Sequence, residues 1–278
     1  KIFHYWSEKY LNPLLLEAGY QDVTDVFVKS FSRVMDTVRQ DELFHFVSIG
    51  AGNCDLEIEV ALRLIAKGYS KFSIECLEIN HDMLERGRAQ SVRMGVSNTM
   101  MFTSADFNTW QPTIIYDGCM ASHSLHHVVD LEHLFLQIRS HLKEHGVFAV
   151  NDMIGRNGHQ RWPESLAIVH RFWKDLPNIK RYNVLLQRYE EVYENWDCSA
   201  EGFEGIRAQD ILPLFVKDFY PATFIAFGSA IDIFIDRCFG HHYNPDNEAD
   251  TKIIDQVHEA DEKGIREGLL TPTHMIGV

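Results

Sequence analysis

Phe44-His45-Phe46-Val47-Ser48-Ile49 is an apolar, strand-like run that leads into the turn Gly50-Ala51-Gly52-Asn53-Cys54-Asp55. Gly50 and Gly52 remove side chains where backbone must pass close to a ligand. A helix read from Leu56 to Ala66 brings unpaired N–H groups to the same place. A dinucleotide fingerprint needs a third glycine three residues after Gly52. Asp55 stands there, and its carboxylate is a poor neighbour for two phosphates. The next strand-like run, Phe72 to Ile79, carries Glu78 near its end, 23 residues after Asp55. An acid so placed can accept both hydroxyl protons of a ribose. A third run, Met100 to Thr103, leads into Asp106 and Phe107, where an acid can meet an exocyclic adenine amine while the ring covers the base. Glycine turn, ribose acid and adenine acid suit an adenosine with an uncharged linker better than NAD.

These pieces recur in order with two more, Tyr116 to Ser122 followed by Leu125-His126-His127-Val128, and Gly146 to Asp152. Residues 44 to 155 thus resemble class I S-adenosylmethionine-dependent methyltransferases of the small-molecule type. The family carries an acid two residues before the first glycine and a glycine two residues after the second. Here those positions are Ser48 and Cys54, and Asn53 and Asp55 are read as sharing the methionine end. The resemblance implies an α/β fold with a seven-stranded, mostly parallel Rossmann-like sheet, helices on both faces and an antiparallel last strand. It implies S-adenosyl-L-methionine as cofactor, held by Gly50, Ala51, Gly52, Asn53, Asp55, Glu78, Ile79, Asp106, Phe107 and Ser122. The activity implied is methyl transfer by in-line displacement to a small-molecule metabolite. A protein or peptide acceptor, or a module that binds the nucleoside without methylating, are the alternatives; a nicotinamide oxidoreductase is disfavoured by Asp55.

Such a transfer needs an acceptor held close to the methyl carbon and water kept away. A base helps only where the attacking atom must lose a proton. His123, His126 and His127 follow the fourth strand, and His123 and His127 are the candidate bases. Their spacing also permits metal ligation if Asp117 and Asp152 complete a shell, but imidazoles bonded to backbone or to one another are the simpler expectation, and no metal is expected. Arg161 could hold an acceptor carboxylate or phosphate, or else pair with Glu164 or another acid. His241 and Tyr243 are further candidate acceptor contacts, if their segment folds over the sheet edge. Tyr182, Tyr189, Tyr193 and Trp196 fall at helical spacings and read as core, a homodimer seam or an aromatic cage.

Strands alternating with helices over residues 42–156 describe a doubly wound core. Before it, Tyr5 to Glu17 and Val23 to Val38 carry helical apolar spacing; the resemblance implies that residues 1–41 form a lid, with His4, Tyr5 and Trp6 either lid residues or packing for the helix on the core. After it, residues 157–278 read as helical cap insertions: Trp162 to Trp173, Tyr182 to Trp196, Gln209 to Phe219, Ser229 to Phe239 and Asp250 to Glu267. They surround two last strands at 222–227 and 273–278.

With 278 residues and 45% hydrophobic content, the chain can bury a substantial core. A formal charge of −14 argues against a phosphate-backbone partner. No apolar run is long enough to span a membrane. The five cysteines lack C-x-x-C spacing, and a reducing cytoplasm is the simple reading.

Overall fold

The computed structural model describes residues 1–37 and 42–278. Val38, the expected end of the second N-terminal helix, and the expected lid boundary at residue 41 lie outside them.

The chain opens with α1 (Ile2–Trp6), a π-helical stretch (Ser7–Leu11) and α2 (Asn12–Glu17), followed by α3 (Val23–Thr37). The alternating region then gives β1 (Phe44–Ile49), α4 (Asp55–Ala66), β2 (Phe72–Glu78), α5 (His81–Arg93), β3 (Met100–Ser104), β4 (Tyr116–Ser122), α6 (Leu131–Ser140) and β5 (Leu142–Met153). Beyond it lie α7 (Pro163–Trp173), the two-residue strands β6 (Tyr182–Asn183) and β7 (Arg188–Tyr189), and α8 (Ala208–Asp218). The chain ends with β8 (Phe224–Phe227), α9 (Asp232–Ile235), α10 (Glu248–Arg266) and β9 (His274–Gly277).

Seven strands form one sheet in the order β3-β2-β1-β4-β5-β9-β8. The first five are mutually parallel, and β9 runs antiparallel between β5 and β8. This is the expected Rossmann-like α/β sheet with its reversed last strand. Strand order turns outward on either side of β1 and β4, so their carboxyl ends flank the crevice where open α/β sheets bind ligands.

The parallel strands are apolar on both faces because helices cover both. Side chains alternate across the sheet. Phe46 joins Phe27, Phe31, Ile58 and Ile74 on one face, with the Phe31 and Phe46 rings stacked at 3.9 Å. Val47 and Ile49 join Leu125, Phe135, Phe148 and Phe215 on the other. A third core, of Ile2, Trp6, Trp173, Phe234 and Ile254 among others, lies under the N-terminal helices and the insertions. Caps set several helix starts: Asn80 accepts from Met83 N at 3.2 Å, and Asp130 from His133 N at 3.0 Å.

Two helices expected from spacing are not formed as such. Tyr182 to Trp196 is a short hairpin and irregular chain, because Asn183 Oδ1 accepts from Leu185 N and Leu186 N and turns the backbone. The aromatic stripe read there therefore does not exist. Ser229 to Phe239 is helical only over α9. Asp236 Oδ1 accepts from Cys238 N at 2.8 Å and Phe239 N at 3.1 Å, ending the helix in an Asx turn. Leu125 to His127 is a single 3-10 turn, and the following helix begins only at Leu131. Among the described residues, no helix is long and apolar enough to cross a membrane.

Candidate functional site

The glycine turn is held against β2 by two bonds. Ala51 N donates to Leu77 O at 2.9 Å, and Gly52 N donates to Glu78 Oε2 at 3.0 Å. Glu78 Oε1 accepts from Asn80 N at 2.9 Å, so backbone donors fix a largely buried carboxylate at the tip of β2. Each of its oxygens keeps a further lone pair for a ligand. Gly50 has φ +70°, and a Cβ there would lie 2.4 Å from Ser124 Cβ. The turn therefore needs glycine for conformation and for space. Cys54, where the resembled family carries glycine, also has left-handed backbone at φ +61°. Its buried side chain packs where α5 comes closest, and a Cβ on Gly87 would meet Cys54 Sγ at 2.7 Å. The other departure, Ser48, donates to Glu57 Oε1 at 2.5 Å. Burial pushes Glu57 up to about 7, against the opposing pull of the Ser48 hydroxyl.

Asn53 accepts from Arg86 Nε at 2.8 Å, and Asp55 begins α4 exposed. Ile79 and Asp106 are exposed beyond the ends of β2 and β3. Asp106 Oδ1 accepts from Asn108 N and Nδ2 at 2.9 and 2.8 Å, while Phe107 packs on the core behind it. Ser122 closes β4, and its hydroxyl accepts from Asn151 Nδ2 at 3.3 Å.

Past β4 the chain turns sharply around Asp152, which is fully buried in β5. Its Oδ2 accepts from Ser124 N and Leu125 N at 2.9 and 2.8 Å, and its Oδ1 pairs with His126 Nδ1 at 2.5 Å. Burial alone would raise this carboxyl; the His126 charge and these bonds outweigh it and hold it at about 2. Ser124 Oγ returns a 2.6 Å bond to Ile49 O, tying the turn to β1. His123, with φ +50°, is the residue that this turn pushes outward. Asp117 is at the opposite end of β4, where it accepts from His45 N and pairs with Lys143 Nζ at 2.8 Å. It completes no histidine shell.

His123, His126 and His127 line a cavity of about 1050 Å³ at the carboxyl edge of β4 and β5. Lys1, Ile2 and Phe3 line it from the N-terminal helix, and Tyr193, Trp196, Phe239, His241 and Tyr243 from the insertions. Of the N-terminal aromatics, Tyr5 and Trp6 take the packing alternative. Tyr5 donates to Asp255 at 2.9 Å and Trp6 to His258 at 3.2 Å, fastening α1 to α10. Arg161 also touches the cavity, but it pairs with neither Glu164 nor a surface acid. Nη1 donates to partly buried Asp232 and to Ser229 O, each at 2.7 Å, and Nη2 donates to His159 O. Two of its three nitrogens are thus committed to joining β5's exit to α9. Its Nε has no partner among the described residues, nor has the buried Tyr243 hydroxyl. His241 is exposed at the cavity rim.

Several cavity residues escaped the sequence reading: His159, Glu204, Asp236 and His274. Glu204 accepts from His159 Nε2 at 3.0 Å, and that bond holds its carboxyl at about 2 despite burial. Asp236 is pushed up to about 6 by burial, against the backbone donors of Phe239 and Cys238.

No protein-family model matches this chain, and no curated protein does. Solved structures do. The StiE O-MT fragment is 12% identical, with 96% of this chain and 80% of that one covered at a TM-score of 0.48. The O-methyltransferase from a trans-AT PKS multienzyme of Brevibacillus brevis, in complex with S-adenosyl-L-homocysteine, is 13% identical over 97% and 75%, TM-score 0.49. Geranyl diphosphate C-methyltransferase from Streptomyces coelicolor A3(2) is 10% identical over 88% and 76%, TM-score 0.48. At these identities and TM-scores the likeness says nothing of this chain's chemistry; its Rossmann-like architecture stands on its own sheet, with order β3-β2-β1-β4-β5-β9-β8 and β9 antiparallel.

Proposed function

We propose that this protein transfers a methyl group from S-adenosyl-L-methionine to a small-molecule acceptor enclosed in the cavity at β4 and β5. The observation carrying the proposal is the shared turn after β4. Ser124 packs against Gly50 on the side of the glycine crevice, while His123, one residue earlier, faces the cavity. Crevice and cavity therefore meet at one backbone position, which is where a transferable group must pass.

The residues of the crevice fit the nucleoside. Gly50 and Gly52 give the turn of residues 50–53 its left-handed backbone, Glu78 offers two oriented oxygens to a ribose, and Ile79, Asp106 and Phe107 border the base. Asp55 and Ser122 flank the two ends of the same crevice. When bound, the cofactor supplies an electrophilic methyl group. The chain's own tasks are to hold the acceptor in line and to exclude water. Ile2, Phe3, Trp196 and Phe239 supply apolar wall for the second task. His123 and His127 are the imidazoles placed to take a proton from a hydroxyl, amine or activated carbon. Arg161 Nε, Tyr243 and His241 are the polar groups left to orient it.

Calorimetry with S-adenosyl-L-homocysteine and with NAD tests the cofactor: the first should bind and the second should not, and the reverse result sinks the reading. Incubating a metabolite extract with the protein and an isotope-labelled methyl donor should then yield a labelled small molecule. Label found only on protein would replace the small acceptor with a peptide one.

A further inference from the structure

We propose that His126, His159 and Glu204 form a binding site for a divalent first-row transition-metal ion in the wall of the cavity. One ligand atom from each lies within 4.8 Å of the others. His159 Nε2 is 3.0 Å and His126 Nε2 3.6 Å from Glu204 Oε1. Tetrahedral bonds of about 2.0–2.1 Å put ligand atoms about 3.3 Å apart. The three side chains already stand close to that separation.

Three further features prepare the site. His126 directs Nδ1 at the buried Asp152 carboxylate, 2.5 Å away, which fixes the ring and leaves Nε2 turned to the cavity. A carboxylate behind a ligating imidazole is the usual support for a metal-bound histidine. The loops carrying His159 and Glu204 are joined backbone to backbone, with Gly158 N donating to Gly205 O and Cys198 N to Gly158 O, both at 2.9 Å. Finally, His159 holds left-handed backbone at φ +54°, and a Cβ on Gly205 would come within 2.8 Å of its ring. Strain at a non-glycine residue and a glycine that clears its ring fix this imidazole where it stands.

Two histidines and one carboxylate with an open side suit zinc, iron(II), cobalt(II) or manganese(II), and leave room for an oxygen from a bound molecule. Arg237 Nη2, 3.9 Å from Glu204 Oε1, competes for the carboxylate, but its side chain is mostly exposed and can swing out. His127 Nδ1 lies 3.9 Å from Glu204 Oε2 and stands as a neighbour outside the set. The ion's proposed use, holding an acceptor oxygen, rests on the acceptor-chamber reading above; its binding does not.

The full chain, stripped with a chelator, is titrated with Co2+ in a calorimeter and followed by visible absorption. We expect one ion per chain with ligand-field bands of a low-symmetry site. His159→Ala and Glu204→Gln should each lose at least tenfold in affinity and lose those bands, with circular dichroism unchanged. Asp152→Asn should weaken Co2+ roughly 10- to 100-fold while keeping the band pattern. His241→Ala should retain full affinity. Absence of stoichiometric Co2+ binding, or unchanged affinity in both His159→Ala and Glu204→Gln, overturns the site. Failure of S-adenosyl-L-homocysteine to bind the same preparation would overturn the methyl-transfer reading and leave the Co2+ result standing.

Discussion

The two ends of the crevice are built in different ways. Around β1 to β3 the polar groups are organised by backbone: Glu78 meets Gly52 N and Asn80 N, and Asp106 meets Asn108 two residues on. Partners there are near in sequence or in the adjacent strand. Around β4, β5 and the insertions, side chains meet across long stretches of chain. His159 finds Glu204 and Arg161 finds Asp232, at separations of 45 and 71 residues. The first region is a shaped backbone; the second is a side-chain network whose shape depends on the whole fold. On the proposed function, the difference separates the side that would hold the cofactor from the side that would hold the acceptor.

The comparison breaks most readily at Asp152. Removing it in Asp152→Ala orphans two buried N–H groups and a buried imidazole, and should cost about 4 kcal/mol of stability in urea unfolding. A loss under about 1 kcal/mol would show that the acceptor side is not held by its charges. On the cofactor side, Gly50→Ala should cost about 3 kcal/mol, combining left-handed strain with the overlap on Ser124, and should abolish S-adenosyl-L-homocysteine binding in calorimetry. Retained binding would mean that the turn is softer than its geometry.

Glu57 sharpens the contrast, because it is a buried acid on the cofactor side without a cationic partner among the ion pairs described. Its folded value of about 7 lies above the unfolded value of 4.5. The linkage is therefore full below pH 4.5 and is lost as pH rises through 7, by about 3 kcal/mol in all. Unfolding of the wild type between pH 5 and 8 should show this fall, and Glu57→Gln should flatten it; parallel curves would refute the assignment. The smallest effect is expected at Glu78. Glu78→Ala should leave the sheet intact and weaken S-adenosyl-L-homocysteine by about 2 kcal/mol, the worth of hydrogen bonds to a charged group. An unchanged dissociation constant would remove Glu78 from the site.

The same division explains what could be read from the chain alone. The strands of the sheet and the glycine turn were legible because each leaves a local signature: a continuous apolar run, a paired glycine, an acid at a strand end. The hairpin at Tyr182 was not, since 7-, 4- and 3-residue spacings imitate a helix while Asn183 quietly supplies the competing turn. Arg161 was visible as a cation, but its partner Asp232 sits in a segment whose own fold was misread. His159 and Glu204 carry no sequence signal, because only the closure of two loops brings them together.

The knot between the first helix and α10 has a dynamic consequence. Tyr5, Tyr10 and Lys9 all converge on Asp255, and the leading residues of that same N-terminal helix form part of the cavity wall. That part of the wall is therefore fastened to a helix some 250 residues away in sequence. Fraying of α10 should loosen it, so amide hydrogen exchange in α1 and in α10 should rise and fall together.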